Sequence, residues 1–214
     1  MRFAEQVRLS GGPHQQVRFP VYRQRMQHER EHPPGIAGIA FRVADVDDLD
    51  LLFDIDRDAS RLFERAGLHM APSDELELGA AERRRWLECL RSGIGLIASN
   101  RAGDSVGFTA LGVLDGQPYL EQLSVRMHAM RHGIGRALLA AAVRMAEEEQ
   151  ARSLWLTTYR HLPWNRPFYE KAGFGIVPPE QWGSDMVREV HFQRRLLPDP
   201  DERVVMRKAL RTLS

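Results

Sequence analysis

Apolar and polar positions along the chain change period several times, and each change marks an element. Ile39 to Val43 reads as a first strand. Asp45 or Asp47 can cap the helix that follows, with acids in its first turn. Leu49, Leu52, Phe53, Ile55, Ala59, Leu62 and Phe63 then recur at helical spacing, and the pattern stops at Gly67, a C-cap residue. His69 to Glu77 holds Pro72 and several acids and reads as a loop. Ala81 to Leu90 is a second amphipathic helix with Trp86, Leu87 and Leu90 inward. Gly95 to Ser99 and Val106 to Val113 form two strands joined by a hairpin connection at residues 100–104, and Asp115-Gly116 marks the next turn.

Tyr119 to Val125 alternates and carries β-favouring residues. On a regular strand Tyr119, Glu121, Leu123 and Val125 share one face, and Leu120, Gln122 and Ser124 the other. From Gly133 the period becomes helical, through Ile134, Leu138, Ala141, Ala142 and Met145, to about Gln150. Leu154 to Thr158 is a buried strand, and Pro163 stands where a short helix containing Tyr169 can begin. Phe174 to Val177 is a short strand ended by Pro178-Pro179. Ser184 to Leu197 suits a helix and Val204 to Leu210 a closing strand. The sum is a mixed α/β sheet flanked by helices, in one domain over residues 38–214. Residues 1–37 differ: rich in Arg, Gln and His and poor in aliphatics, they read as a loosely ordered extension, or as a basic arm that packs on a partner subunit.

Composition narrows the classes. Hydrophobic content of 43% and charged content of 28% over 214 residues are those of a globule. A net charge of +1 gives no electrostatic case for nucleic acid or an anionic membrane. Cys89 stands alone, which suits a reducing compartment and packing rather than catalysis. No apolar run reaches membrane-spanning length and the N-terminus lacks a secretory apolar segment, so a cytoplasmic location is expected. None of the eight His sits at metal-ligand spacing, so no metal is expected.

The chemistry concentrates at the strand-to-helix junction, Met130-Arg131-His132-Gly133-Ile134-Gly135-Arg136. A helix start leaves free N–H groups at a positive dipole end, and two glycines let an anion reach the backbone. The run is neither a Walker loop, since Arg136-Ala137 follows the second glycine, nor a dinucleotide fingerprint, since Leu138 stands where the third glycine belongs.

Leu123-Ser124-Val125 followed by Gly133-Ile134-Gly135-Arg136-Ala137-Leu138-Leu139 resembles the central motif of the GNAT superfamily of acyl-CoA-dependent N-acyltransferases. Asn165 with Phe168-Tyr169 and Gly173-Phe174 resembles that family's second motif. Met130 departs from the Gln or Arg usual at its position. The resemblance implies a mostly antiparallel central sheet with acetyl-CoA as cosubstrate. Arg131 to Arg136 (with His132, Gly133, Ile134 and Gly135) would hold the pyrophosphate, Leu123, Ser124 and Val125 the pantetheine, and Asn165 the cofactor by hydrogen bond. It implies an acid or histidine as base on the strand before the pantetheine segment, where Glu121 stands. Tyr169 would then protonate the leaving thiolate. The alternative for Glu121 is a paired sheet-surface carboxylate, and for Tyr169 a packing ring.

The expected reaction is acetyl transfer to a primary amine, on a small molecule or a peptide, by direct attack in a ternary complex; the alternative is an acyl-CoA sensor without turnover. Thr158, Tyr159, Arg160 and Trp164 are candidates to line the acceptor pocket, and a homodimer is an option common in the family.

Overall fold

The computed structural model describes residues 38–92 and 94–211; the expectation for residues 1–37 lies outside them. The strands are β1 (Ala40–Val43), β2 (Gly95–Ser99), β3 (Ser105–Leu114), β4 (Gln117–Val125), β5 (Ser153–Tyr159), β6 (Gly175–Ile176) and β7 (Arg203–Ala209). They form one sheet in the order β1-β2-β3-β4-β5-β7-β6. All neighbours are antiparallel except β4 and β5. The helices are α1 (Leu49–Arg65), α2 (Pro72–Arg91), α3 (Ile134–Glu148), α4 (Arg166–Lys171) and α5 (Ser184–Leu196).

Helix α3 covers one face. Its Ile134, Leu138, Leu139, Ala142 and Met145 pack with Leu111, Leu120, Val125, Leu154 and Leu156. The opposite face carries α1 and α2, whose Leu52, Ile55, Trp86 and Leu90 pack on Ile97 and Phe108. It also carries α5, whose Met186 and Val190 pack on Tyr119 and Val205.

Local chemistry sets the boundaries. Asp45 Oδ1 accepts from the Asp47 N–H at 2.9 Å and the Asp45 N–H donates back to Asp48, a capping box that leads into α1. Gly67, at φ +85, supplies the left-handed residue that follows α1. Asp115 and Gly116 both have positive φ, as a two-residue hairpin turn requires. Asp115 does more. Its carboxylate accepts from the Asp185 and Met186 N–H groups at 2.9 and 3.0 Å, capping α5 from a turn seventy residues away in sequence.

Three expectations change. Residues 72–77 are not loop: α2 starts at Pro72, with Asp74 and Glu75 in its first turn. Proline at the first helical position and acids beside it are helix-opening residues as much as loop residues. The short helix before β6 begins at Arg166, with Pro167 in its first turn, rather than at Pro163. The third change is in β4. Leu120 pairs with Leu111 and Gln122 with Ala110, so Glu121 has no partner across the ladder. This β-bulge breaks the alternation. Leu120, Leu123 and Val125 turn to the α3 side, while Glu121 and Gln122, adjacent in sequence, both turn to the α1/α2 side.

Candidate active site

Strands β4 and β5 run parallel and meet at Tyr119↔Trp155 alone. Toward their C-terminal ends the ladder is absent and the sheet opens. In β4 the Arg126 N–H donates to Val106 O at 2.8 Å and the Ser124 carbonyl faces Gly107, so these groups are turned toward β3. By the period of two, the N–H and C=O groups of Leu123 and Val125 point into the opening. An amide-bearing arm can add there as a strand.

The loop that follows ends at the same opening. Arg131 has φ +66 and Gly133 φ +83, and Gly133 caps α3 without any side-chain bond. Met130 N–H donates to Met127 O and Ala137 N–H to Gly133 O; the N–H groups of Arg131, His132, Gly133, Ile134, Gly135 and Arg136 make no hydrogen bond among the described residues. Arg131, His132 and Arg136 are exposed around them. A Cβ placed on Gly135 would meet Leu123, Val125 and Phe168 at 3.7 Å, ordinary contact distance. The protein's own packing therefore does not demand glycine there, whereas a phosphate seated on the backbone does. Asn165 sits at the start of α4, its carbonyl accepting from Phe168 and Tyr169 N–H, and its side-chain amide makes no hydrogen bond among the described residues.

Glu121 lies on the far side of the opening, buried, with its side chain against Gly112, where an added Cβ would come within 2.6 Å of Oε1. Arg85 Nε donates to Glu121 Oε2 at 3.0 Å, and Arg85 Nη1 lies 3.6 Å from Glu189 Oε2. Burial pushes the Glu121 carboxyl up to about 7; Arg85 opposes the shift and Glu189 adds to it. Two further acids share this face. Burial raises Asp56, against hydrogen bonds from Ser124 Oγ and Gln122 Nε2 to its Oδ1 at 2.6 and 2.5 Å. Glu82 is pushed up to about 8, by burial first and then by the neighbouring carboxylates.

Tyr169 stands on α4 between Phe168 and Phe174, ring centroids 5.1 and 5.9 Å away. Its hydroxyl makes no hydrogen bond among the described residues, and burial pushes its pKa up to about 12, so it carries its proton throughout the working range. Cys89 is buried among Trp86 and Leu90, and burial raises its thiol as well; it is a packing residue.

A surface recess of about 400 Å³ lined by Leu51, Asp58, Asp104, Ser105, Arg126 and His128 lies beside the end of β4 and touches neither Glu121 nor Tyr169.

The description of the acetyltransferase (GNAT) family matches residues 54–174, more than half of the chain. The chain belongs to the GNAT family. Solved structures agree on the fold at low identity. A PaiA N-acetyltransferase from Thermoplasma acidophilum, in complex with coenzyme A, is 17% identical with a TM-score of 0.60, covering 80% of this chain and 98% of that one. The ribosomal-protein-S18-alanine N-acetyltransferase of Escherichia coli is 16% identical with a TM-score of 0.54, covering 82% and 96%. An N-acetylglutamate synthase from Neisseria gonorrhoeae, with coenzyme A and N-acetyl-glutamate, is 16% identical with a TM-score of 0.58, covering 83% of this chain but 36% of that one.

In this GNAT chain the structure brings Leu123, Val125, the loop 131–136, Asn165 and Tyr169 to one opening, whereas Ser124, expected with Leu123 and Val125, turns its hydroxyl to Asp56 and its carbonyl to β3. Glu121 does not share the face of Leu123 and Val125; the bulge turns it to the α1/α2 side, against Arg85. The motifs gave no sign of Arg85, Glu189, Gln193 or Arg203, which form the polar layer behind Glu121. A signal existed. Glu82 and Arg85 fall in the same helical stripe as Leu78, Ala81, Trp86 and Cys89, and Glu189 and Gln193 in that of Met186 and Val190. Charged or amide side chains at core-facing positions mark buried polar networks.

Proposed function

We propose that the protein transfers an acetyl group from acetyl-CoA to a primary amine by direct attack within a ternary complex. The observation that supports this reading is the pairing of a cradle of backbone N–H groups and a strand edge with a buried carboxyl held near neutrality on the other side of the same opening. Six unbonded N–H groups at the start of α3 suit a diphosphate. The free edge of β4 suits the pantetheine amides and offers N–H groups to polarise the thioester carbonyl.

The amine nitrogen attacks the carbonyl carbon, its proton passes to Glu121 directly or through a water, and the C–S bond breaks. A carboxyl with a pKa of about 7 is half ionised at neutral pH, which suits a general base. Tyr169 donates a hydrogen bond to the departing thiolate, passes its proton as coenzyme A leaves, and regains one from solvent. No covalent enzyme intermediate is invoked, since Cys89 is buried in packing. A reducing, cytoplasmic setting belongs to the same proposal.

The test is thiol release from acetyl-CoA with a panel of primary amines, beside calorimetry of coenzyme A binding. Amine-dependent release supports the reading. Tight binding without release on any amine would leave an acyl-CoA sensor instead.

A further inference from the structure

Arg203, at the start of β7, is the anomalous charge of the acceptor face. Arg85, its counterpart there, has Glu121 and Glu189 as ion partners. Arg203 has no carboxylate within 4.0 Å among the described residues. Its Nη2 donates to Gln193 Oε1 at 2.7 Å and Thr157 Oγ1 at 3.0 Å, both neutral acceptors. Its guanidinium lies over the Tyr159 ring, 4.7 Å from the centroid. Its Nε–H is buried with no acceptor. Burial lowers its pKa, against the opposing influence of the Tyr159, Tyr119 and Glu189 side chains. Withdrawing a guanidinium from water without an anion beside it is costly. A second donor near it is in the same condition. Trp164 Nε1–H is also buried without an acceptor. Trp164 packs on Phe63, and Phe63 on Tyr159, with centroids 6.3 and 6.1 Å apart, so both unmet donors border one aromatic cluster with Leu68 and Leu162.

The other end of this face is negative. Glu121, Glu189, Asp56 and Glu82 gather there, and Glu82 makes no hydrogen bond. The two ends are joined by one chain of hydrogen bonds and an ion pair: Arg203 donates to Gln193 Oε1, Gln193 Nε2 donates to Glu189 Oε1 at 2.7 Å, Glu189 pairs with Arg85 across 3.6 Å, and Arg85 donates to Glu121. The face is thus dipolar, with carboxylates toward the base and an unmatched cation beside the aromatic cluster.

We propose that the acceptor carries a carboxylate as well as its amine, and that Arg203 is the carboxylate's partner. The inference rests on the acetyl-transfer reading and names its substrate class, an amino-carboxylic acid. The ammonium end lies toward Glu121. The carboxylate completes the ion pair of Arg203 at Nη1, which makes no hydrogen bond among the described residues and, unlike Nε, is not sealed from solvent, a charge-assisted bond of the stronger kind.

The experiment compares α-, γ- and ε-amino acids, whose amine-to-carboxylate span increases in that order, with their carboxamides as acceptors, in wild type, Arg203→Gln and Arg203→Lys. The wild type prefers the free acid by about tenfold to a hundredfold in kcat/KM, the range a charged hydrogen bond commands, and the preference sits in KM. Arg203→Gln brings the acid down to the level of the amide, and Arg203→Lys keeps part of the preference. A wild type that treats acid and amide alike overturns the proposal, and so does an equal fractional loss on both in Arg203→Gln. Should no amine release thiol, the acetyl-transfer reading falls first. The pocket is then read by calorimetry of N-acetylated amino acids and their amides on the wild-type protein loaded with coenzyme A: uptake of the acid but not the amide sustains the carboxylate site, and uptake of neither or of both alike overturns it.

Discussion

Arg85 Nε lies 3.0 Å from Glu121 Oε2, so the carboxyl proposed as base is ionised against a cation that holds it down. Burial wins the contest and leaves the pKa at about 7. With Glu121 acting as base, kcat/KM rises with pH and levels off above about 7. Removing Arg85 removes the opposing influence, so Arg85→Met moves the midpoint to higher pH and lowers the rate at neutral pH. A pH–rate profile of both proteins checks it; an unmoved midpoint would detach Glu121 from the rate.

Glu82 gives a stability prediction with a definite sign. Its folded pKa of about 8 lies above its ordinary value of 4.5. The folded state therefore holds this proton more tightly, a contribution fully present below about 4.5 and lost as pH rises through about 8. Glu82→Gln keeps the shape without the charge. Relative to wild type it gains stability between these two values, by up to ~3 kcal/mol after allowance for partial exposure, and gains no more above them. Urea denaturation at pH 5, 7 and 9 reads the difference.

Gly135→Ala separates packing from ligand binding. The added methyl meets Leu123, Val125 and Phe168 at 3.7 Å, and Ala is the better helix former by about 1 kcal/mol. The variant folds at least as stably as wild type, while its affinity for coenzyme A falls by about tenfold or more as the methyl enters the phosphate seat. Calorimetry and a thermal melt on one sample give both numbers. Undiminished coenzyme A affinity would remove the loop from the cofactor site.

Tyr169→Phe keeps the ring between Phe168 and Phe174 and deletes only the hydroxyl. Turnover falls by about a hundredfold or more, in the range of general acid catalysis, with coenzyme A affinity near wild type. Equal turnover would reduce Tyr169 to a packing ring.

Much of this was legible in the sequence because it is encoded locally. The helical stripe from Ile134 to Met145, the paired glycines and the turn at Asp115-Gly116 each rest on residues that stand next to one another. The start of α2 was misread because Pro72, Asp74 and Glu75 serve equally in loops and in first helical turns, and only Trp86 and Leu90 packing on Phe108 decides between them. The polar layer behind Glu121 was not legible as a unit. Arg85, Glu189, Gln193 and Arg203 come from three elements far apart in the chain, and their pairing exists only once α2 and α5 lie on the sheet.

The extra residue at position 121 constrains how this scaffold can change. Deleting it would restore even pleating through β4 without moving any neighbour to the other layer: Tyr119, Gln122 and Ser124 keep the side of α1, α2 and α5, and Leu120, Leu123 and Val125 keep the α3 side. The carboxylate's position is therefore an insertion, gained or lost in one step while the layers on either side of the sheet stay in phase.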